Sequence, residues 1–429
     1  MTGPAAPSST ATGPAAGAVT ALAATTSSAP TRPWRLAPLL IVPGGLALLA
    51  GMDAALTLAG LPAPAGSPRL ALLHGPLMVL GFLGTVISLE RAVALRRPWG
   101  FLAPGLIGLG AVLLALLPDP LLGRLLLAQG FVLFVAVYVA LLRRNHDLTV
   151  AVQILGTALG ACAALLLTRV EAAAVMPLLI AFVVLTIAAE RVELARLAMP
   201  AGADRLLTWW AAAVASGALA AVLWPAVGWR VLGPALLGMT LWLLRHDVAR
   251  RLVRSTGLPR FSAAALLLGY AWLLLAAVVM TGLGQPLEGA YDVVVHATFL
   301  GFAMSMILAH APVILPAVLR VRLPYTPWMW LPLVTLHLTL ATRVATALTG
   351  DVTVWSGALY GNVGAVLLFL VTAVTTAVVA TRAARARSAT RPTPGRSPAR
   401  GDHPRTRADD TGVSHPIPAS TTTPKKTDA

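Results

Sequence analysis

The chain has 429 residues, 57% of them hydrophobic and 11% charged, with a mean hydropathy of +0.80. Soluble domains are roughly a quarter charged, so a water-soluble globular fold is excluded, and the lack of alternating segments about ten residues long excludes a membrane β-barrel. The net charge of +16 does not make a nucleic-acid binder: Lys425, Lys426 and many arginines follow Thr381, in a stretch rich in Pro, Ser, Thr and Arg, and no nucleic-acid partner is expected.

Residues 1–35 are mostly Ala, Thr, Ser, Pro and Gly. They lack a charged start followed by a dense apolar core, so a disordered cytoplasmic extension is expected and not a cleaved signal peptide. Apolar runs long enough to cross ~30 Å of hydrocarbon then recur. With no water to pair backbone groups, these runs must be helices. Polar breaks place twelve of them, at 37–60, 70–95, 100–117, 122–142, 148–168, 173–197, 206–224, 228–245, 261–284, 292–319, 325–349 and 354–381. The expectation is an all-α polytopic bundle spanning residues 36–382. A disordered basic tail at 383–429 would touch anionic lipid.

Arginines orient the bundle. Connections after even-numbered helices carry Arg91, Arg96, Arg97, Arg143, Arg144, Arg191, Arg196, Arg245, Arg250, Arg251, Arg254, Arg320 and Arg322; those after odd-numbered helices carry Arg69, Arg124, Arg169 and Arg230. By the positive-inside rule both termini are cytoplasmic, in agreement with an even helix count. A faint repeat runs through helices 2, 6 and 10. Phe82, Phe182 and Phe302 precede Glu90, Glu190 and His310 by eight residues each, which three arcs of four helices would explain.

Histidine is costly in hydrocarbon and needs a partner or a ligand. His74 and His296 fall at matched depth, about one turn below the outer surface, on helices 2 and 10. Two such imidazoles could ligate one b-type haem, or each could bond to a hydroxyl or carbonyl of the next helix. Gly81 and Gly301 would admit a macrocycle or a neighbouring helix, and Met78 and Met306 would supply adaptable apolar lining. His310 lies fourteen residues after His296, on nearly the same face of an ideal helix. With Glu90 and Glu190 it would form an inner metal or proton-relay cluster, or those glutamates would simply pair with their own arginines. Arg343 in helix 11 needs an anion, either a haem propionate or Asp53. His337 on the same helix is a further candidate metal ligand.

Two segments resemble the NnrS family of bacterial membrane proteins. One is His74, Met78, Gly81 and Phe82; the other is His296, Ala297, Gly301 and Met306 to Ala309. The resemblance implies association with haem and copper, and a role in resistance to nitric oxide. The family pattern has a second histidine where Pro76 stands, and a Gly-His-Thr-Gly-Arg segment where this chain has His310-Ala-Pro-Val-Ile-Leu-Pro, so a full copper site is not expected. The arrangement also looks like the catalytic subunit of haem–copper oxidases, with ligands on helices 2 and 10. Helix 6 has no histidine, however, and helix 7 offers only Trp209 and Trp210. The reading is therefore a haem b protein of the bacterial plasma membrane that responds to nitric oxide or handles electrons, with an electron donor or small gas as partner. The alternative is a secondary transporter using Asp53, Glu90, Glu190, His310 and Arg343.

Overall fold

The computed structural model describes residues 37–389. The expected N-terminal extension and nearly all of the expected tail lie outside these residues. By internal contacts the chain divides into Met1–Ala383, which holds the bundle, and Ala384–Ala429. Among the described residues there are no strands, and twelve long helices follow one another at the places the apolar runs predict.

Helix α1 is Ala37–Leu58, α2 His74–Leu95, α3 Pro98–Leu116, α4 Leu121–Asn145, α5 Leu148–Leu166, α6 Ala172–Leu194, α7 Ala203–Leu223, α8 Pro225–His246, α9 Gly257–Leu283 and α10 Glu288–Leu319. Helix α11 is Trp330–Thr349 and α12 Val352–Ala389. Eleven of them, all but α11, are long and apolar enough to cross a membrane. Helix α11 has the length, 20 residues, but carries His337, Arg343 and five threonines. Helix α12 runs to Ala389, beyond the expected end at 381.

Polar residues stop the helices where backbone groups run out of partners. Asp147 opens α5 by accepting the amide of Thr149, and Asp351 accepts those of Thr353 and Val354 at the start of α12; both are N-cap arrangements. Arg96, His146 and Arg320 close α2, α4 and α10 in the left-handed conformation, each at an end that the arginine bias assigns to one side.

The bundle is apolar outside as well as inside. On α1, Leu39, Val42, Leu46 and Leu49 are exposed at helical spacing, as a surface facing lipid requires. Helix α6 is the central element, buried almost without break from Val175 to Ala189. Consecutive helices pack as neighbours, and α6 also meets α10. Small residues set the closest approaches. At the α7–α8 hairpin a Cβ on Gly228 would run into the backbone of Ala220 and Ala221, and Gly110 and Gly123 bring α3 and α4 together backbone to backbone.

Helices α2 and α10 are not regular. Both widen into π-helical turns, at Leu77–Leu83 and Ala297–Ala303, where the hydrogen bond spans five residues instead of four. The two bulges fall at matching places. One starts three residues after His74 and the other directly after His296, and both contain the Gly-Phe pair. Rotation along these helices therefore departs from the 3.6-residue ideal.

Candidate functional site: a facing histidine pair

His74 opens α2, where a one-turn helix at Pro68–Ala71 delivers the chain. Its Nδ1 lies 2.8 Å from the carbonyl oxygen of Gly51 on α1. That carbonyl is within reach because α1 and α2 are close: a Cβ on Gly51 would come within 2.7 Å of the Met78 sulfur. His296 sits about two turns into α10. Its Nδ1 lies 2.9 Å from the Asp292 carbonyl oxygen and 3.1 Å from Asp292 Oδ1. Every partner of the two Nδ1 atoms is an acceptor, so each Nδ1 carries the proton and donates, which leaves the Nε2 lone pair of each ring for a ligand.

The two rings face each other, with centroids 6.3 Å apart and planes within 15°. An imidazole nitrogen lies roughly 2.0–2.1 Å from a bound metal ion and about 1.1 Å from its own ring centre, so two imidazoles on opposite sides of one ion have centres about 6 Å apart. The observed separation equals that spacing for rings set end to end, with the in-plane Nε2 lone pairs turned to the ion. Ring nitrogens tied back to a carbonyl or carboxylate are also the usual support for ligating histidines.

Arg343 stands behind this pair. Its Nε and Nη2 donate to Asp292 Oδ2 and Oδ1 at 2.9 and 2.6 Å, and its guanidinium lies 5.6 Å from the Trp355 ring centre. This corrects both anions expected for it. Asp53 accepts instead from the amide of Ala65 at 2.7 Å, and the forked contact that a propionate would use is occupied by Asp292. Arg343 thus acts on the pair through Asp292, which in turn holds His296.

The other sequence candidates lie elsewhere. His337 accepts from Trp272 Nε1 at 2.8 Å and meets Ser305 Oγ through Nε2 at 3.3 Å. His310 Nδ1 donates to the Met306 carbonyl at 2.7 Å, and its Nε2 lies 3.2 Å from Arg191 Nη1. Both ring nitrogens are engaged in each case, so the expected metal-ligand roles of His310 and His337 do not hold. Among the described residues no three His, Cys, Asp or Glu side chains are grouped to hold a metal ion. Of the roles open to Gly81 and Gly301, the structure selects close helix packing: Ala47 and Ala111 crowd Gly81, and the Trp272 side chain lies on Gly301. Met306 is buried against Gly269.

At the other ends of α2 and α10 is an ionic cluster. Arg91 Nη2 lies 2.9 Å from Glu90 and 3.8 Å from Glu190, and Arg91 Nη1 lies 3.7 Å from Glu193. Arg191 forks onto Asp247 at 2.9 and 3.0 Å, and Tyr270 donates to the same carboxylate at 2.7 Å. Glu90, Glu190 and His310, the three positions of the faint repeat, are therefore brought together by α2, α6 and α10.

A family model described as "Domain of unknown function (DUF8744)" matches residues 35–378, nearly the whole bundle. The chain belongs to the DUF8744 family. No curated protein and no solved structure matches it. In this DUF8744 chain the matched span includes His74, His296 and every residue that supports them.

Sequence reasoning missed Asp292, Gly51 and Asp247. Asp292 was within reach: it precedes His296 by four residues, the spacing of facing side chains on a helix, but its helix starts at Glu288 and not at 292. Gly51 carried no signal, because its role is a carbonyl presented across two helices. Asp247 is visible only as the partner of Asp147, 100 residues earlier in the same Leu-Leu-Arg…His-Asp ending.

Proposed function

We propose that this DUF8744 protein is a haem-binding protein of the bacterial plasma membrane, with both termini cytoplasmic, acting in nitric-oxide response or electron handling. The observation that carries the reading is the pair of neighbouring imidazoles with both Nδ1 atoms tied back, which leaves both Nε2 lone pairs for a ligand. Bound b-type haem would supply an iron that exchanges single electrons and binds small gas molecules. His74 and His296 would hold it, one from each of α2 and α10. The Gly51 carbonyl fixes the His74 ring. Asp292 fixes the His296 ring and, as a carboxylate, makes its Nε2 a stronger donor. Arg343 keeps Asp292 ionised and in place.

The test is an absorption spectrum of the full-length protein in mild detergent, oxidised and then reduced with dithionite, with metal content measured on the same sample. A Soret band with sharp reduced α and β bands is expected. It should be lost in His74→Ala and in His296→Ala while yield in the membrane is unchanged. A featureless visible spectrum from haem-supplied cells with stoichiometric copper would assign the pair to a lone copper ion. A featureless spectrum without bound metal would remove the reading, and proton-coupled uptake by such a sample would favour the transporter.

A further inference from the structure

Burying a carboxylate without a counter-charge is costly, and the usual relief is a bound proton. At the end of α2 away from His74, three carboxylates converge on one guanidinium: Glu90 and Glu190 on Arg91 Nη2, and Glu193 on Arg91 Nη1. The neighbouring cation does not balance them. Arg191 is matched by Asp247, which holds it with two hydrogen bonds; it also meets Tyr270 and His310, and its charge reaches Glu190. Fully ionised, the Glu90–Arg91–Glu190–Glu193 group carries two excess negative charges; Glu193, 36% exposed and beside Arg196, is partly solvated, which leaves the excess on the more buried Glu90 and Glu190.

A second observation points into the same place. Tyr138 on α4 is completely buried, and its hydroxyl has no hydrogen-bond partner. Arg91 lies 6.0 Å from its ring centre, and the charges acting on the hydroxyl are those of Arg91, Glu90, Glu190 and Glu193. One oxygen of Glu193 and Nε of Arg91 are likewise buried without a hydrogen bond. Unpartnered buried donors and an unpartnered acceptor thus gather around Arg91. The other titratable groups around the cluster are Asp147 and Arg196 beside Glu193, His310 on α10, and Asp247 with Tyr270 behind Arg191.

We propose that Glu90 and Glu190 share a bound proton at neutral pH, forming with Tyr138 a proton-binding site on the arginine-rich side of the bundle. Because α2 also carries His74 at its other end, this site and the histidine pair are joined by one helix. The proposal does not depend on haem: it rests on the carboxylate count and on Tyr138. Two coupled carboxylates titrate as a pair, so the proton belongs to the site and not to either residue.

Infrared difference spectra of the full-length protein in lipid nanodiscs, across roughly pH 5 to 9, test it; solvated glutamates titrate near ~4.3 and stay ionised over this range. The expected result is a carboxylic-acid C=O band that fades as pH rises, is lost in Glu90→Gln or Glu190→Gln, and shifts in frequency in Tyr138→Phe. No such band in the wild-type protein would overturn the proposal and leave a plain ionic lock. A band that sodium abolishes at constant pH would make the occupant a metal cation, which also overturns it. If the glutamine variants do not fold, Tyr138→Phe locates the band, and an unshifted frequency there counts against the site. The band is read whether or not haem is present, so its failure and that of the haem reading are separate results.

Discussion

Asp247 illustrates how a single carboxylate can fasten several helices. It takes a fork from Arg191 of α6, a hydroxyl from Tyr270 of α9 and the amide of Ala249 in its own loop. Burial would raise its pKa, but the Arg191 charge and these hydrogen bonds together hold the carboxyl below its ordinary value of 3.8. A depressed folded-state pKa stabilises the fold above the unfolded value and loses that stabilisation as pH falls through the folded one. Asp247→Asn should therefore lower the thermal midpoint at neutral pH, because Arg191 is left buried without a counter-ion, which costs about 3–5 kcal/mol. The gap between variant and wild type should stay constant from pH 7 to about pH 5 and narrow only below the ordinary carboxylate range. Thermal unfolding in detergent at a series of pH values measures it; a gap that closes already near neutral pH would contradict the pairing. Asp147, half-buried and paired with the exposed Arg196, is held down in the same direction, but a pair with one partner in water contributes little.

At the scale of elements, membrane helices associate by close packing, because lipid offers no hydrophobic drive between them. The α7–α8 hairpin depends on this most directly. Gly228 has no space for a side chain, and what stands in the way is backbone, not a side chain that could turn aside. Gly228→Val should destabilise the hairpin by more than ~3 kcal/mol and sharply reduce the yield of monodisperse protein. Gly45→Ala on α1, where nothing lies within 4 Å, should be neutral or slightly stabilising, since alanine is the better helix former, and an equal loss there would count against close packing as the cause. The π-helical turns of α2 and α10 belong to this scale too. Apolar periodicity shows that a helix is present but not where its hydrogen bonding slips by one residue, so ideal-helix geometry put His296 and His310 on one face. The structure sends them to different partners.

For the whole molecule, helix order and approximate limits were legible because each follows from local hydropathy. The element that decides the topology is α11, which carries His337, Arg343 and five threonines. Twelve crossings put both ends on one side, and eleven put them on opposite sides. Reporter fusions at the two ends should both be active in the cytoplasm, and a periplasmic signal from one end would mean that α11 does not cross. The candidate site was legible only in part. His74 and His296 could be paired from the sequence because both sit at the same depth on separate helices. The partner of Arg343 could not be, since Asp53 and Asp292 both lie at the outer end and only packing brings one of them within 3 Å. Composition and periodicity alone determined that this is an all-α membrane bundle, because burial in lipid constrains every backbone group locally. Which buried polar groups meet was decided by tertiary structure, because such contacts depend on helix rotation and π-helical offsets that no local pattern encodes.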